Sequence, residues 1–460
     1  MPIPREKSFP MPQPVFGEPV FAEGVPTPDP RGFDVPHPSD AAQYRQIDAL
    51  LTKDVVGIPA SRGAPADLYG LSTAMGAHGP EYVSALEESR QIVFHMAGDI
   101  GASSQRRYPG ELSVADQLSL DAHGAPPPSG PAFLYLLGDL VYDFGEAKYY
   151  YDQFYEPYRN YPGPIFAIPG NHDSFVVPGT PPADAPLATF QRNFCAPAPA
   201  ITAEAGSLHR TAMTQPGVYF ALDAPFVRIL GLFTNALEDP GVVSSEQGRW
   251  PTVPDLQLEF LRAQLARVRS ERFSGALLVA THHPPFCYAP PAAPGSGGFH
   301  GGNPRMLAEL DRIFASEGVY PHAVLSGHAH NYQRFTRAIG LGGASYEVPF
   351  LICGGGGHDV SRLVQARLGR PAVEPGDGID VSYLDRSAAI ETKGLRLERH
   401  DDRDYGYLRV TVTGDRLRVE FRSAHATGPS PAPSDVVTVD LATHVIVGDG
   451  DRRATRGPER

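Results

Sequence analysis

Five short apolar runs in this chain each stop at Gly, Pro or Thr and pass directly into a cluster of polar residues. Buried runs of about four to six residues that end in this way predict short core strands. In open α/β sheets, ligands collect just beyond the carboxyl ends of such strands. We therefore expect the polar residues to meet in one place. The five segments are IVFHMAGDIG (92–101), FLYLLGDLVY (133–142), IFAIPGNHD (165–173), ALLVATHH (276–283) and AVLSGHAH (323–330).

Other stretches show a helical pattern. In 253–273, Leu258, Leu261 and Leu265 lie on one face of a helix. The segment 304–318 starts with Pro and stops at Gly, as helices often do. The predicted helices cover residues 41–54, 81–90, 146–161, 253–273 and 304–318.

The rest of the pattern predicts β-structure and loops. Residues 217–235 look like paired strands of a second sheet, and 405–424 alternate as a hairpin around Thr413-Gly414-Asp415. Residues 435–441 predict one more strand. Three segments rich in Pro, Gly and Ala predict loops that set substrate specificity: 102–131, 174–216 and 284–303.

These elements suggest four regions. Residues 1–90 form an N-terminal extension that is partly irregular and partly helical, and 91–360 form the catalytic core. Residues 361–448 form a C-terminal β segment that completes the core, and 449–460 form a tail.

Composition narrows the function. The net charge of −13, without a clustered basic stripe, argues against nucleic acid as a partner. The three cysteines, Cys195, Cys287 and Cys353, are too far apart and too few to predict a disulfide framework. No run is long enough to span a membrane, and no signal peptide is evident. We expect a cytoplasmic protein, although secretion or a periplasmic location would be compatible with a leader cleaved from the chain.

The polar residues after the five runs have the chemistry of metal ligands. Taken singly, each has a plain alternative, because Gly-Asp is common in turns and a His-x-His pair also occurs without metal. Taken together, they supply the hard oxygen donors and imidazoles that a two-metal site requires. The residues are Asp99, Asp139, Tyr142, Asn171, His282, His328 and His330.

The ordered set GDIG, GDLVY, GNHD, VATH and GHAH resembles the purple acid phosphatases of the calcineurin-like metallophosphoesterase superfamily, over roughly residues 91–360. Most members of the superfamily open with Asp-x-His, whereas this chain has Asp99-Ile100-Gly101. The purple branch also lacks that histidine and supplies a tyrosine from the second motif, here Tyr142.

The resemblance implies an α/β fold of the four-layer α+β type, with two packed mixed β-sheets flanked by helices and a metal site at the carboxyl ends of the strands. It also implies two metal ions bridged by Asp139. Fe(III) would be bound by Asp99, Tyr142 and His330. Fe(II), Zn(II) or Mn(II) would be bound by Asn171, His282 and His328.

The same resemblance implies catalytic roles for His172, Asp173 and His300. His172 would donate a proton or hydrogen bond, and Asp173 would orient it or another group near the metals. The roles of His283, His300 and His358 stay open. The implied reaction is hydrolysis of a phosphate monoester in a small phosphorylated substrate by metal-activated hydroxide. The alternatives are a phosphodiesterase acting on nucleotides or lipid head groups and a catalytically silent binding domain on the same fold. Nothing in the sequence indicates the oligomeric state.

Overall fold

The computed structural model describes residues 18–21, 57–104, 106–142, 144–174, 186–206, 208–236, 241–287, 302–362, 379–380, 395–424 and 432–448. The predicted helix 41–54, the candidate residue His300 and the predicted tail 449–460 lie outside these ranges.

Up to residue 326 the chain mixes strands and helices. The strands are β1 (Tyr69–Gly70), β2 (Gln91–Ala97), β3 (Pro131–Leu136), β4 (Ile165–Ala167), β5 (Phe220–Ala224), β6 (Val227–Gly231), β7 (Ala276–Thr281) and β8 (Ala323–Ser326). The helices are α1 (Leu71–Ala74), α2 (Gly79–Ser89), α3 (Tyr108–Gly124), α4 (Ala188–Phe194), α5 (Leu256–Glu271) and α6 (Pro304–Glu317). None of these helices has the length and apolar character that crossing a membrane requires, within the ranges described.

Beyond residue 331 the described elements are strands. They are β9 (Tyr332–Leu341), β10 (Ala344–Cys353), β11 (Ile379–Asp380), β12 (Leu395–Asp401), β13 (Gly406–Thr413), β14 (Arg416–Ser423), β15 (Asp435–Asp440) and β16 (Val445–Val447). The predicted hairpin is confirmed, because β13 and β14 pair antiparallel with Val412 opposite Leu417. The predicted strand at 435–441 is β15.

The strands form two mixed sheets. One has nine strands in the order β1-β5-β6-β7-β8-β10-β9-β12-β11, and the other has seven in the order β16-β15-β14-β13-β2-β3-β4. Aromatic rings join the sheets across the core, for example Tyr135 of β3 and Phe220 of β5, whose centroids are 6.0 Å apart. Helix α3 packs against β3 and β13 outside the second sheet. The predicted fold class, two mixed sheets flanked by helices, is confirmed.

The direction of the strands brings the five polar clusters together. Strands β2, β3 and β4 run parallel in one sheet, and β7 and β8 run parallel in the other. Their carboxyl ends meet where Gly98 approaches Gly327 so closely that a Cβ on Gly98 would lie 3.0 Å from the Cα of Gly327. Glycine at both positions therefore lets the two sheet edges touch.

Three sequence predictions were wrong. The segment 174–216 was expected to be a loop, but Ala188–Phe194 form the short helix α4. The segment 102–131 was expected to be a loop but contains the 17-residue helix α3. Its buried positions include Glu111, Gln117 and Ser119 beside the apolar ones, so the periodic apolar signal that would reveal the helix is weak. The segment 146–161 was expected to be one α-helix but forms a 3-10 turn at Ala147–Tyr149 and a π turn at Tyr151–Tyr155.

The buried His444, in the turn between β15 and β16, predicts that the protein is less stable in acid. His444 is buried, its Nε2 donates to the carbonyl of Pro321 at 2.7 Å, and its ring stacks on His322 with centroids 4.3 Å apart. Burial, and then the neighbouring His322, lower the pKa of His444 to about 3. An unfolded histidine has a pKa of about 6.5, so the unfolded chain binds more protons and stability falls as the pH drops through that value.

Between about pH 7 and about pH 5, we expect the unfolding free energy of the wild type to fall by about 2 kcal/mol more than that of His444→Asn. Asn does not titrate, and it tolerates the left-handed backbone of this position, where φ is 58°. Urea unfolding of both proteins at the two pH values measures the difference. Equal pH dependence of the two unfolding free energies would contradict this account.

Candidate metal centre

The first group of predicted ligands surrounds the phenol oxygen of Tyr142. This oxygen lies 3.2 Å from Asp99 Oδ1, 3.1 Å from Asp139 Oδ2 and 3.5 Å from His330 Nε2. His330 Nε2 is also 3.4 Å from Asp99 Oδ1. Four donor atoms from three different loops therefore converge on one point, since Asp139 and Tyr142 share the loop after β3.

The second group surrounds the amide oxygen of Asn171. Its Oδ1 lies 2.9 Å from His282 Nε2 and 3.1 Å from His328 Nδ1. His282 Nδ1 donates to the carbonyl of Leu137 at 2.8 Å, which turns Nε2 toward the site. The ligand atoms of Asp139, His282 and His328 all lie within 4.8 Å of one another.

Asp139 stands between the two groups. Its Oδ2 is 3.1 Å from the Tyr142 oxygen and 3.3 Å from His282 Nε2, so one carboxylate oxygen faces both sets. Its Oδ1 accepts the backbone N–H of His172 at 2.8 Å, which fixes the orientation of the carboxylate. This position is the one that a bridging ligand would occupy.

The spacing of these atoms fits cations. Ligand atoms bound at about 2.1 Å to a tetrahedral or octahedral ion lie roughly 3.0 to 3.4 Å from one another. The observed separations around Tyr142 and Asn171 fall close to that range. His282 Nε2 and Asn171 Oδ1 would also repel as two acceptors at 2.9 Å unless a proton or a cation lies between them. The donor set therefore fits two metal ions.

The ionisable groups of the site strongly shift one another's pKa values. Burial alone would raise the pKa of Asp139, but His282 and His172 hold it well below its usual range. Burial alone would lower the pKa of His282, but Asp139 and Asp99 raise it to about 9. Burial and the same two carboxylates raise the pKa of Tyr142 well above its usual value. The site is thus anionic and attracts positive charge, whether protons or metal ions.

Backbone conformation also marks the site. Asp99, Asp139 and His328 adopt φ values of 58°, 54° and 68°, in the left-handed region that non-glycine residues seldom occupy. Such strain is concentrated at functional sites, where the surrounding structure compensates for it. In each case the turn aims a side chain into the site immediately after a strand.

The remaining predicted residues lie around the two groups. His172 packs its ring 4.2 Å from that of Tyr142, and its Nε2 is 4.0 Å from Asp139 Oδ2. The carboxylate of Asp173 accepts backbone N–H groups from Gly170 at 2.9 Å and Leu140 at 3.0 Å, so it ties the GNHD loop to the GDLVY loop. Burial, and then the charge of Asp139, raise the pKa of Asp173 to about 7.

Three further residues, beyond the predicted ligands and catalytic residues, contribute to this centre. His283 is buried, and its Nδ1 lies 2.9 Å from Thr234 Oγ1, which fixes its loop beside His328. His358 stacks on Tyr142. Gln153 forms two hydrogen bonds with the backbone of Tyr142. Its Oε1 accepts the Tyr142 N–H at 2.8 Å, and its Nε2 donates to the Tyr142 carbonyl oxygen at 2.7 Å. Gln153 could not be predicted from the sequence, because it lies in a tyrosine-rich segment without a motif.

Three solved structures are similar to this chain at low sequence identity. A purple acid phosphatase from yellow lupin (Lupinus luteus) seeds is 18% identical with a TM-score of 0.48, and the match covers 76% of this chain and 54% of the lupin protein. PhoD is 12% identical with a TM-score of 0.46, covering 77% of this chain and 71% of its own. GAP50, the anchor in the inner membrane complex of Plasmodium, is 10% identical with a TM-score of 0.43, covering 75% and 88%.

The sequence itself matches a family. No curated protein sequence matches the chain. The model of the calcineurin-like phosphoesterases, in contrast, matches residues 94–332. This range includes the ends of all five predicted strands and every predicted metal ligand. Because the match extends over more than half of the 460 residues, the chain belongs to the calcineurin-like phosphoesterase family.

Proposed function

We propose that this protein is a dinuclear-metal phosphatase that hydrolyses phosphate monoesters. The observation that carries the proposal is the position of the Tyr142 oxygen, 3.1 to 3.5 Å from donor atoms of Asp99, Asp139 and His330. Without a cation, burial and the two carboxylates raise the pKa of this phenol and disfavour its ionisation. A trivalent cation at that point would reverse the balance and make the phenolate a ligand.

The two groups of donors differ in chemistry and would hold different metals. The group with a phenolate and carboxylates is hard and anionic, so it would hold Fe(III) through Asp99, Tyr142 and His330. The group with two imidazoles and an amide would hold Fe(II), Zn(II) or Mn(II) through Asn171, His282 and His328. Asp139 would bridge them. Such a pair supplies an activated water nucleophile and neutralises charge on the phosphate.

The protein's own groups would position the substrate and transfer protons. His172 is held by its backbone N–H on Asp139, and its imidazole lies beside Tyr142. From there it would donate a hydrogen bond to a phosphoryl oxygen or a proton to the departing alkoxide. Asp173 would act indirectly, by fixing the two loops that carry Asp139 and Asn171. His300 stays a proposed substrate contact.

The substrate class is a small phosphorylated molecule. The nearest alternative is hydrolysis of phosphodiesters with the same ligands and two divalent ions. Parallel assays with a chromogenic monoester and the corresponding diester distinguish the two, since the monoester should be the better substrate by kcat/KM. A preference for the diester, together with an absence of bound iron, would favour the alternative.

Single ligand substitutions test the proposal directly. We expect Asn171→Ala and His328→Ala each to lower kcat/KM for the monoester by roughly 100-fold or more and to reduce the bound metal per chain. His209→Ala is the matched control, because His209 is exposed and is not among the predicted ligands. Metal analysis and steady-state assays of the four proteins provide the measurement. Unchanged activity in both ligand variants would refute the metal-hydrolase proposal.

A further inference from the structure

The segment after β10 folds back across the loop that carries Asp99. Gly356 N–H donates to Gly98 O at 3.0 Å, and His358 N–H donates to Asp99 O at 3.0 Å. A Cβ on Gly357 would lie 2.8 Å from the Cα of Glu111, so only glycine permits this approach to α3. The backbone of residues 356–358 is therefore fixed relative to the loop of Asp99.

This fixed backbone places the ring of His358 flat against the ring of Tyr142. The ring centroids are 3.5 Å apart and the planes differ by 16°. His358 Nδ1 lies 3.0 Å from the carbonyl oxygen of Gly101, and because a carbonyl only accepts, Nδ1 carries the proton. His358 is 2% exposed and Tyr142 is fully buried, so the stacked pair is removed from water.

A second ring contacts Tyr142 from another direction. The centroid of His172 is 4.2 Å from that of Tyr142 and 6.4 Å from that of His358. Gln153 holds the backbone of Tyr142 at the same time. Backbone and ring are thus both restrained, and the phenol oxygen is left facing Asp99, Asp139 and His330.

We propose that His358 is a positioning residue that holds the Tyr142 phenol in the orientation required for metal ligation. The inference rests on the proposed function, in which Tyr142 is a ligand. A tyrosine ring turns about two side-chain bonds, so its oxygen stays in place only when its faces are packed. Stacking by His358 packs one face of the Tyr142 ring. The hydrogen bond from its Nδ1 to Gly101 fixes the imidazole itself.

The test compares two substitutions that fill the space differently. His358→Phe keeps an aromatic face over Tyr142, whereas His358→Leu fills a similar volume without one. Each protein is prepared metal-free, its folding is checked by urea unfolding, and Fe(III) is then titrated while the visible tyrosinate band is recorded. Tyr142→Phe should abolish the band, and Phe94→Leu is the control, because Phe94 stacks on Phe133 within the core.

We expect His358→Leu to weaken Fe(III) binding roughly 10-fold and to shift or weaken the band, and His358→Phe to stay within about 3-fold of the wild type. Equal binding and an identical band in His358→Leu and the wild type would overturn the inference while leaving the proposed function intact. Equal losses in both variants would also overturn it, because stacking would then not be the cause. Iron-loaded wild type without the band would instead refute ligation by Tyr142 and, with it, this part of the proposed function.

Discussion

Asp139→Asn is expected to lower kcat/KM for a phosphate monoester by about 10³-fold, equivalent to about 4 kcal/mol of transition-state stabilisation. The Oδ2 of Asp139 faces Tyr142 at 3.1 Å and His282 at 3.3 Å, so this one oxygen serves both groups of donors. The substitution keeps the size of the side chain and leaves Oδ1 able to accept the N–H of His172. It removes the negative charge that two neighbouring cations would share.

Metal content separates this expectation from simple misfolding. Asp139→Asn should fold in the metal-free state and bind fewer than two ions per chain, as measured by elemental analysis after dialysis. Asp223→Asn is the matched control. Asp223 pairs with Arg228 at 3.0 Å. It lies beside the amino end of β7, whereas His282 follows the carboxyl end of that strand. An Asp139→Asn protein with two ions and full activity would show that Asp139 does not bridge.

The strands that end at the site could be predicted because their pattern is local. An apolar run that stops at Gly or Pro is buried and then turns, and the five polar clusters follow directly. Helices α5 and α6 could be predicted for the same reason. The apolar residues of α5 repeat along one face, and α6 starts at Pro304 and is capped by Gly318 in the left-handed conformation.

In the segments that were mispredicted, the buried positions do not form a clear periodic apolar pattern. Helix α3 buries Glu111, Gln117 and Ser119 beside its apolar residues, so the periodic signal is diluted. The segment 146–161 buries tyrosines on several sides, among them Tyr150, Tyr155 and Tyr158. A segment that is packed all round follows its neighbours rather than a 3.6-residue period. Tertiary packing, which a single sequence does not display, decides both cases.

The site shows the same limit. The convergence of these side chains could be predicted from the strand ends, but the left-handed turns at Asp99, Asp139 and His328 could not, because Asp and His only tolerate this conformation. The stacking of His358 on Tyr142 joins residues that are far apart in the chain. Such contacts depend on how the loop after β10 crosses the loop of Asp99, and no local pattern encodes that crossing.

The next prediction concerns the junction of the two sheets beside the site. Arg334 of β9 forms two hydrogen bonds with Asp435 of β15, at 2.6 Å and 3.0 Å, and Tyr332 donates to the same carboxylate at 2.7 Å. Side-chain exposure is 11% for Arg334 and 7% for Asp435. Burial alone would lower the pKa of Arg334, but the bond to Asp435 raises it. The pair is therefore desolvated and depends on both partners.

We expect Asp435→Ala to destabilise the protein by about 3 to 5 kcal/mol, because it leaves the guanidinium of Arg334 buried without its partner. Arg334→Met with Asp435→Leu should recover part of that loss, since the double variant buries no charge but removes the acceptor of the Tyr332 hydroxyl. Urea unfolding of the wild type, Arg334→Met, Asp435→Leu and the double variant gives the coupling free energy. A loss in Asp435→Ala below about 1 kcal/mol, the size typical of an exposed pair, would show that the junction is not held by this contact.

Because β9 begins two residues after His330, loss of the pair should also weaken metal binding at the Tyr142 group. A metal titration of Asp435→Ala at low urea measures that effect.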